Sequence, residues 1–154
     1  MAADTVLDGE AVVRALQGAY ARDVGRSALL HIAAERIQQA GPPYTGVYLY
    51  MVQGGTLVLE AHRGRDTEHT RIAVGAGICG RAVAEARDIN VPDVSQAEGY
   101  LACSLETRSE LVVLIRLRET ILGQIDIDSD QLDPFTPAEE AEVRKVADAL
   151  AALL

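Results

Sequence analysis

Apolar residues at Val12, Val13, Leu16 and Tyr20 recur at helical spacing, with Asp8 and Glu10 near the start, so a helix is expected over residues 8–23. Leu29, Leu30, Ala33 and Ile37 repeat the pattern over 26–39, and Gly41-Pro42-Pro43 stops it. Then the period changes. Thr45 to Val52 and Thr56 to Arg63 are β-branched and aromatic, and they meet across Gln53-Gly54-Gly55 as a hairpin. A strand at about 70–74 runs through Gly75-Ala-Gly-Ile-Cys-Gly80 into a short Ala-rich helix of about 78–86. Residues 93–108 are polar without a period, a loop of a length that often carries function. Two further strands, Glu110–Leu117 and Ile121–Asp128, flank Arg118-Glu119-Thr120. The last helix is the best signalled. Thr136 is its N-cap, Pro137 its first residue and Glu139 the reciprocal acid of a capping box. Val143, Val146, Ala147, Leu150, Leu153 and Leu154 then form one apolar stripe. Hairpin-joined strands with helices at both ends predict an α+β fold, a central antiparallel sheet flanked by N- and C-terminal helices.

Length and charge narrow the classes. The chain has 154 residues, which predicts a single domain over 1–154. Hydrophobic residues make up 49% and charged residues 24%, as in globular proteins. A net charge of −9 repels phosphate backbones and anionic lipid, so neither nucleic acid nor membrane is an expected partner. The longest strictly aliphatic run, Leu111 to Ile115, is far short of the roughly 20 residues of a spanning helix. The acidic N-terminus lacks the features of a signal peptide, so Cys79 and Cys103 are expected as reduced thiols in the cytoplasm.

Candidate chemistry sits in four places. Gly75-x-Gly77-x-x-Gly80 matches a dinucleotide fingerprint as a string, but no βαβ unit surrounds it; the glycines are read as a tight strand-to-helix turn. Asp126-Ile-Asp128-Ser-Asp130 opens like a calcium loop, yet Gln131 and Pro137 stand where Gly and Glu are needed. No paired Cys or His spacing supports zinc, with His31, His62 and His69 scattered, so no metal is expected. Strand parity is more informative. Ile125 and Ile127 face one side while Gln124, Asp126 and Asp128 face the other. Glu110 begins the strand returning beside them, so three carboxylates can gather around a cationic ligand such as an α-amino group. Such crowding raises the pKa of one of them and leaves a neutral acid. Cys79 is expected in the first turn of a helix, where the dipole stabilises a thiolate, and Cys103 in a loop as an accessible nucleophile.

These segments together resemble a GAF domain, and within that superfamily the free methionine-(R)-sulfoxide reductases. The likeness runs from about Tyr44 to the last helix and is densest from Arg71 to Asp130. It is carried by Arg71-Ile-Ala-Val-Gly-Ala-Gly-Ile-Cys-Gly80, Val91-Pro-Asp-Val94, Gly99-Tyr-Leu-Ala-Cys103, Arg108-Ser-Glu-Leu-Val-Val113 and Gly123-Gln-Ile-Asp-Ile-Asp-Ser129. The resemblance implies that Cys103 is the nucleophile and that Glu110, Asp126 and Asp128 hold and protonate the substrate. Tyr48 matches an aromatic pocket position, and Tyr44 falls where the family usually carries Trp. Three departures stand out: His69 occupies the place of a third, resolving cysteine, and Tyr100 and Ser104 replace the usual His and Asp around the loop cysteine.

The activity implied is reduction of free methionine-(R)-sulfoxide in the cytoplasm, without metal or organic cofactor. Cys103 would attack sulfur, Asp128 or Asp126 would donate the proton, Cys79 would resolve the sulfenic acid, and a thioredoxin-like dithiol would reduce the disulfide. The rival expectation is a sensory GAF module that binds a small ligand without turnover and acts on a separate partner chain. A third uses the apolar stripes of the terminal helices to form a homodimer.

Overall fold

Two helices, α1 (Gly9–Ala21) and α2 (Arg26–Gln38), lead into strands β1 (Gly46–Gln53), β2 (Thr56–Arg63) and β3 (Arg71–Ala73). Helix α3 (Gly77–Glu85) follows, then β4 (Ile89–Val91), one 3-10 turn (Val94–Gln96), β5 (Ser109–Leu117), β6 (Thr120–Ser129) and α4 (Pro137–Leu153). This computed structural model describes residues 4–100 and 105–154. Its strands form one antiparallel sheet in the order β3-β2-β1-β6-β5-β4. The α+β expectation therefore holds. Two short elements escaped the periodicity: β4 has three residues, and the 3-10 turn lies inside the stretch expected to be a loop.

The strands alternate, and each side of the sheet meets a different partner. Val47, Leu49 and Met51 of β1, Leu111, Val113 and Ile115 of β5, and Ile125 and Ile127 of β6 pack against the helices. Val12, Leu16 and Ala19 of α1, Leu29, Leu30 and Ala33 of α2, and Val143, Val146 and Leu150 of α4 close that core. Most of the apolar stripes of α1 and α4 is thus buried inside the domain, while Tyr20 of α1 stays 53% exposed.

The start of α4 departs from the capping-box expectation. Thr136 does cap, its hydroxyl accepting the Glu139 N–H at 3.2 Å. Glu139 does not reach back to it. Its buried carboxylate accepts the backbone N–H groups of Val6 (2.7 Å) and Leu7 (3.2 Å) and the Tyr44 hydroxyl (2.6 Å). Tertiary donors have outcompeted the local one, and the helix N-terminus helps hold the charge.

On the second side of the sheet runs a crossing. β3 and β4 are opposite edges, so the segment joining them must traverse that face, and α3 lies in it. Ile78, Cys79 and Ala82 of α3 pack on Tyr48, Tyr50, Val112 and Leu114. The glycines before α3 make the tight turn that the sequence suggested. Gly75 has φ +98°, the Gly75 N–H donates to the Gly80 carbonyl at 2.8 Å, and a Cβ on Gly80 would stand 2.4 Å from the Ala73 carbonyl oxygen.

Candidate active site

Register builds the carboxylate cluster. In the β5–β6 ladder Glu110 stands opposite Asp128 and Val112 opposite Asp126; in the β1–β6 ladder Tyr48 stands opposite Asp126. All three acids are buried, Asp126 most completely at 1% exposed. The hairpin parity inferred from sequence is thus realised, with Glu110, Asp126 and Asp128 on the side away from the helices.

Helix α3 lays Cys79 over this cluster. The thiol donates toward Glu110 Oε2 at 3.7 Å, and an oxygen of Asp126 lies within 4.8 Å of both the Cys79 sulfur and a Glu110 oxygen. The Gln124 side-chain amide donates to the Cys79 carbonyl at 3.0 Å and so fixes the first turn of α3 to β6. Burial pushes the Asp126 carboxyl above the usual carboxylate range, only partly offset by the neighbouring Glu110 and Cys79. A neutral acid was anticipated from crowding; burial is the larger cause.

Cys79 corrects the sequence reading. Its position at a helix start suggested a stabilised thiolate, but the thiol is buried and pushed well up, first by burial and then by Asp126, Glu110 and Asp128. Burial and three acids outweigh the dipole of a nine-residue helix. The Cys79 sulfur and one oxygen each of Glu110 and Asp126 lie within 4.8 Å of one another, a donor set able to take a divalent cation once its protons leave. No local spacing advertised that trio, because each member comes from a different element.

The two tyrosines separate. Tyr48 is at the site: its ring stacks on His62 at 5.7 Å, its hydroxyl donates to the Arg65 carbonyl at 2.5 Å, and it lines a narrow crevice with no room for a water molecule. Thr45, Gly46, Arg65, Thr107 and Asp128 complete that crevice. Tyr44 is not at the site. It packs on Phe135 in the helix-side core and bonds Glu139, with its phenol pushed up first by burial and then by that acid. The expectation that Tyr44 lines the substrate pocket is therefore withdrawn.

His69 lies in the β2–β3 connection, where its carbonyl accepts the Tyr50 hydroxyl at 2.7 Å. Cys103 and Ser104 lie outside the described residues, so the position of the expected nucleophile is not part of this geometry. Sequence reasoning missed Arg65, Thr107 and Gln124 as site residues. Gln124 shares the parity of Asp126, a usable signal. Arg65 and Thr107 lie in irregular segments with no period to mark them.

A six-stranded antiparallel sheet, with α1, α2 and α4 packed on one side and α3 crossing the other, is an α+β architecture. The chain belongs to the GAF domain family, whose model matches residues 25–154. It is 34% identical over 120 residues to the free methionine-R-sulfoxide reductase of Escherichia coli, covering 78% of this chain and 68% of that protein. The type II free methionine-R-sulfoxide reductase of Thermoplasma acidophilum is 36% identical, with a TM-score of 0.80 over 83% of this chain and 91% of that one. The Neisseria meningitidis enzyme, solved in complex with its substrate, is 28% identical, with a TM-score of 0.87 over 99% and 92%.

Proposed function

We propose that this protein reduces free methionine-(R)-sulfoxide to methionine. The observation that carries the reading is the buried cluster of Glu110, Asp126 and Asp128 under Cys79, on a chain similar over most of its length to reductases of that substrate. Crowded acids suit the ammonium group of a free amino acid, and burial, which pushes the Asp126 carboxyl above the usual carboxylate range, favours the protonated form that a proton donor needs.

In the proposed step the Cys103 thiolate attacks the sulfoxide sulfur while Asp126 or Asp128 protonates its oxygen. The oxygen passes to Cys103 as a sulfenic acid and methionine leaves. A second thiol then condenses with the sulfenic acid, releasing water and forming a disulfide that a thioredoxin-like dithiol reduces. Cys79 is the resolving thiol within the chain, but its buried, protonated state makes it a slow one. An external dithiol attacking Cys103 directly is the faster route.

Tests separate these roles. Purified protein is incubated with racemic free methionine sulfoxide and dithiothreitol, and methionine release is read out by isomer. Turnover of the R isomer alone is expected; saturable binding with no turnover would instead establish the sensory reading. Cys103→Ser abolishes release, whereas Cys79→Ser retains the first burst of methionine and, by the external-dithiol route, continued turnover in dithiothreitol. A fully active Cys103→Ser would remove that residue as nucleophile.

A further inference from the structure

Arg65, in the connection between β2 and β3, holds two acids at once. Its Nη1 donates to Asp130 Oδ1 at 2.8 Å and its Nη2 to Asp130 Oδ2 at 2.5 Å, a bidentate pair. The same Nη2 lies 2.6 Å from Glu106 Oε2. The two partners differ in standing. Asp130 is engaged through both oxygens, while Glu106 offers one and has a side chain 68% exposed, so its bond is screened and contributes little.

Arg65 also lines the crevice bordered by Asp128 and Tyr48. At that crevice the hydroxyl of Thr107, a residue only 6% exposed, has no hydrogen-bond partner among the described residues. A buried hydroxyl left without a partner is costly and marks a place where a polar group of a ligand belongs. A guanidinium and a hydroxyl, two donors, therefore border one narrow crevice together with a carboxylate. A free amino acid has the complementary head: an acceptor carboxylate and a donor ammonium on one carbon.

We propose that Arg65 and Thr107 bind the α-carboxylate of the free amino-acid substrate, which takes the place of Glu106 on Arg65. This rests on the reductase reading. The exchange replaces one carboxylate by another, so no charge is left uncompensated, and Asp130 keeps the guanidinium aimed throughout. It also supplies a reason for acting on the free amino acid: a methionine sulfoxide inside a peptide has no α-carboxylate to offer.

The experiment compares free L-methionine-(R)-sulfoxide with its α-carboxamide, which is neutral at that end. Wild type is expected to prefer the free acid. Arg65→Gln raises KM for the free acid roughly 10–100-fold, the loss of a charge-assisted hydrogen bond, and the preference over the amide collapses. Thr107→Val acts in the same direction more weakly, and Arg65→Lys restores part of the preference. Glu106→Gln removes the competitor and lowers KM for the free acid about 2–5-fold, as expected for losing an exposed ion pair. An Arg65→Gln variant that turns over both compounds with the wild-type preference, or loses both equally, overturns the carboxylate site and leaves the reductase reading intact. Calorimetric titration of reduced wild type with the free sulfoxide separates the claims from the other side: Arg65-dependent binding without turnover retires the reductase reading and supports the site.

Discussion

The two sides of this sheet are made by the same strands, one residue out of step, and they do different work. On the helix side, Val113, Ile125 and Ile127 find only hydrocarbon, and their burial stabilises the domain through area and packing. On the other side, Val112, Asp126 and Asp128 are interleaved with Tyr48 and Cys79, and three acids are held out of water where repulsion and burial both cost free energy. Stability is concentrated on one side and chemical potential on the other. A single-residue slip of β6 would exchange them, so the long hairpin of β5 and β6 has to be rigidly registered.

The comparison breaks most visibly at Asp126. Asp126→Asn keeps the shape and removes the ionisable proton; methionine release is expected to fall about 10²–10⁴-fold, while the melting temperature stays level or rises. Leu150→Ala is the mirror experiment. It opens a cavity on the helix side, should cost about 2–5 kcal/mol in denaturant unfolding, and should leave KM unchanged in protein that remains folded. A Leu150→Ala variant with altered KM would mean that the sides are coupled.

Tyr44→Phe sharpens the boundary. It removes the hydroxyl bonded to Glu139, for an expected cost of about 1.5–3 kcal/mol as a hydrogen bond to a charged group, with kcat and KM retained. Loss of substrate affinity at unchanged stability would put Tyr44 back in the pocket. The smallest effect is in pH dependence. Because Asp126 is raised in the folded state, the folded protein binds more protons than the unfolded one between the ordinary value of 3.8 and the raised value. That contribution is fully present below the unfolded value and is lost as pH rises through the folded one. Asp126→Asn should flatten this part of a stability-versus-pH curve, and an unchanged slope would mean that Asp126 is not the group being titrated.

Where the chain is regular, the site was legible. Alternation over Gln124–Asp128 sorted acids from isoleucines, and the return of the neighbouring strand brought Glu110 opposite Asp128. Where the chain is irregular, parity carries no information. Tyr44 and Tyr48 are four residues apart and would share a face on a continuous strand, but β1 begins only at Gly46, so Tyr44 turns into the helix-side core. Cys79 was placed correctly at a helix start and given the wrong ionisation, because a local dipole is visible in sequence and three acids arriving from β5 and β6 are not. The capping-box reading of Glu139 failed likewise: its partners are Val6 and Leu7, more than 130 positions away.

That last contact has a consequence for how the protein is made. The backbone entering α1 is fastened to the first turn of α4, through Glu139 to Val6 and Leu7 and through Glu142 to the Gly9 N–H at 2.9 Å. On a ribosome adding about 5–20 residues per second, everything up to β6 emerges before α1 has its partner. During those seconds the apolar side of the sheet lacks α4 to cover it, and the loop to be closed is nearly the whole chain. The nascent domain therefore keeps part of its apolar side exposed until α4 arrives, and that helix acts as the clasp that completes the fold.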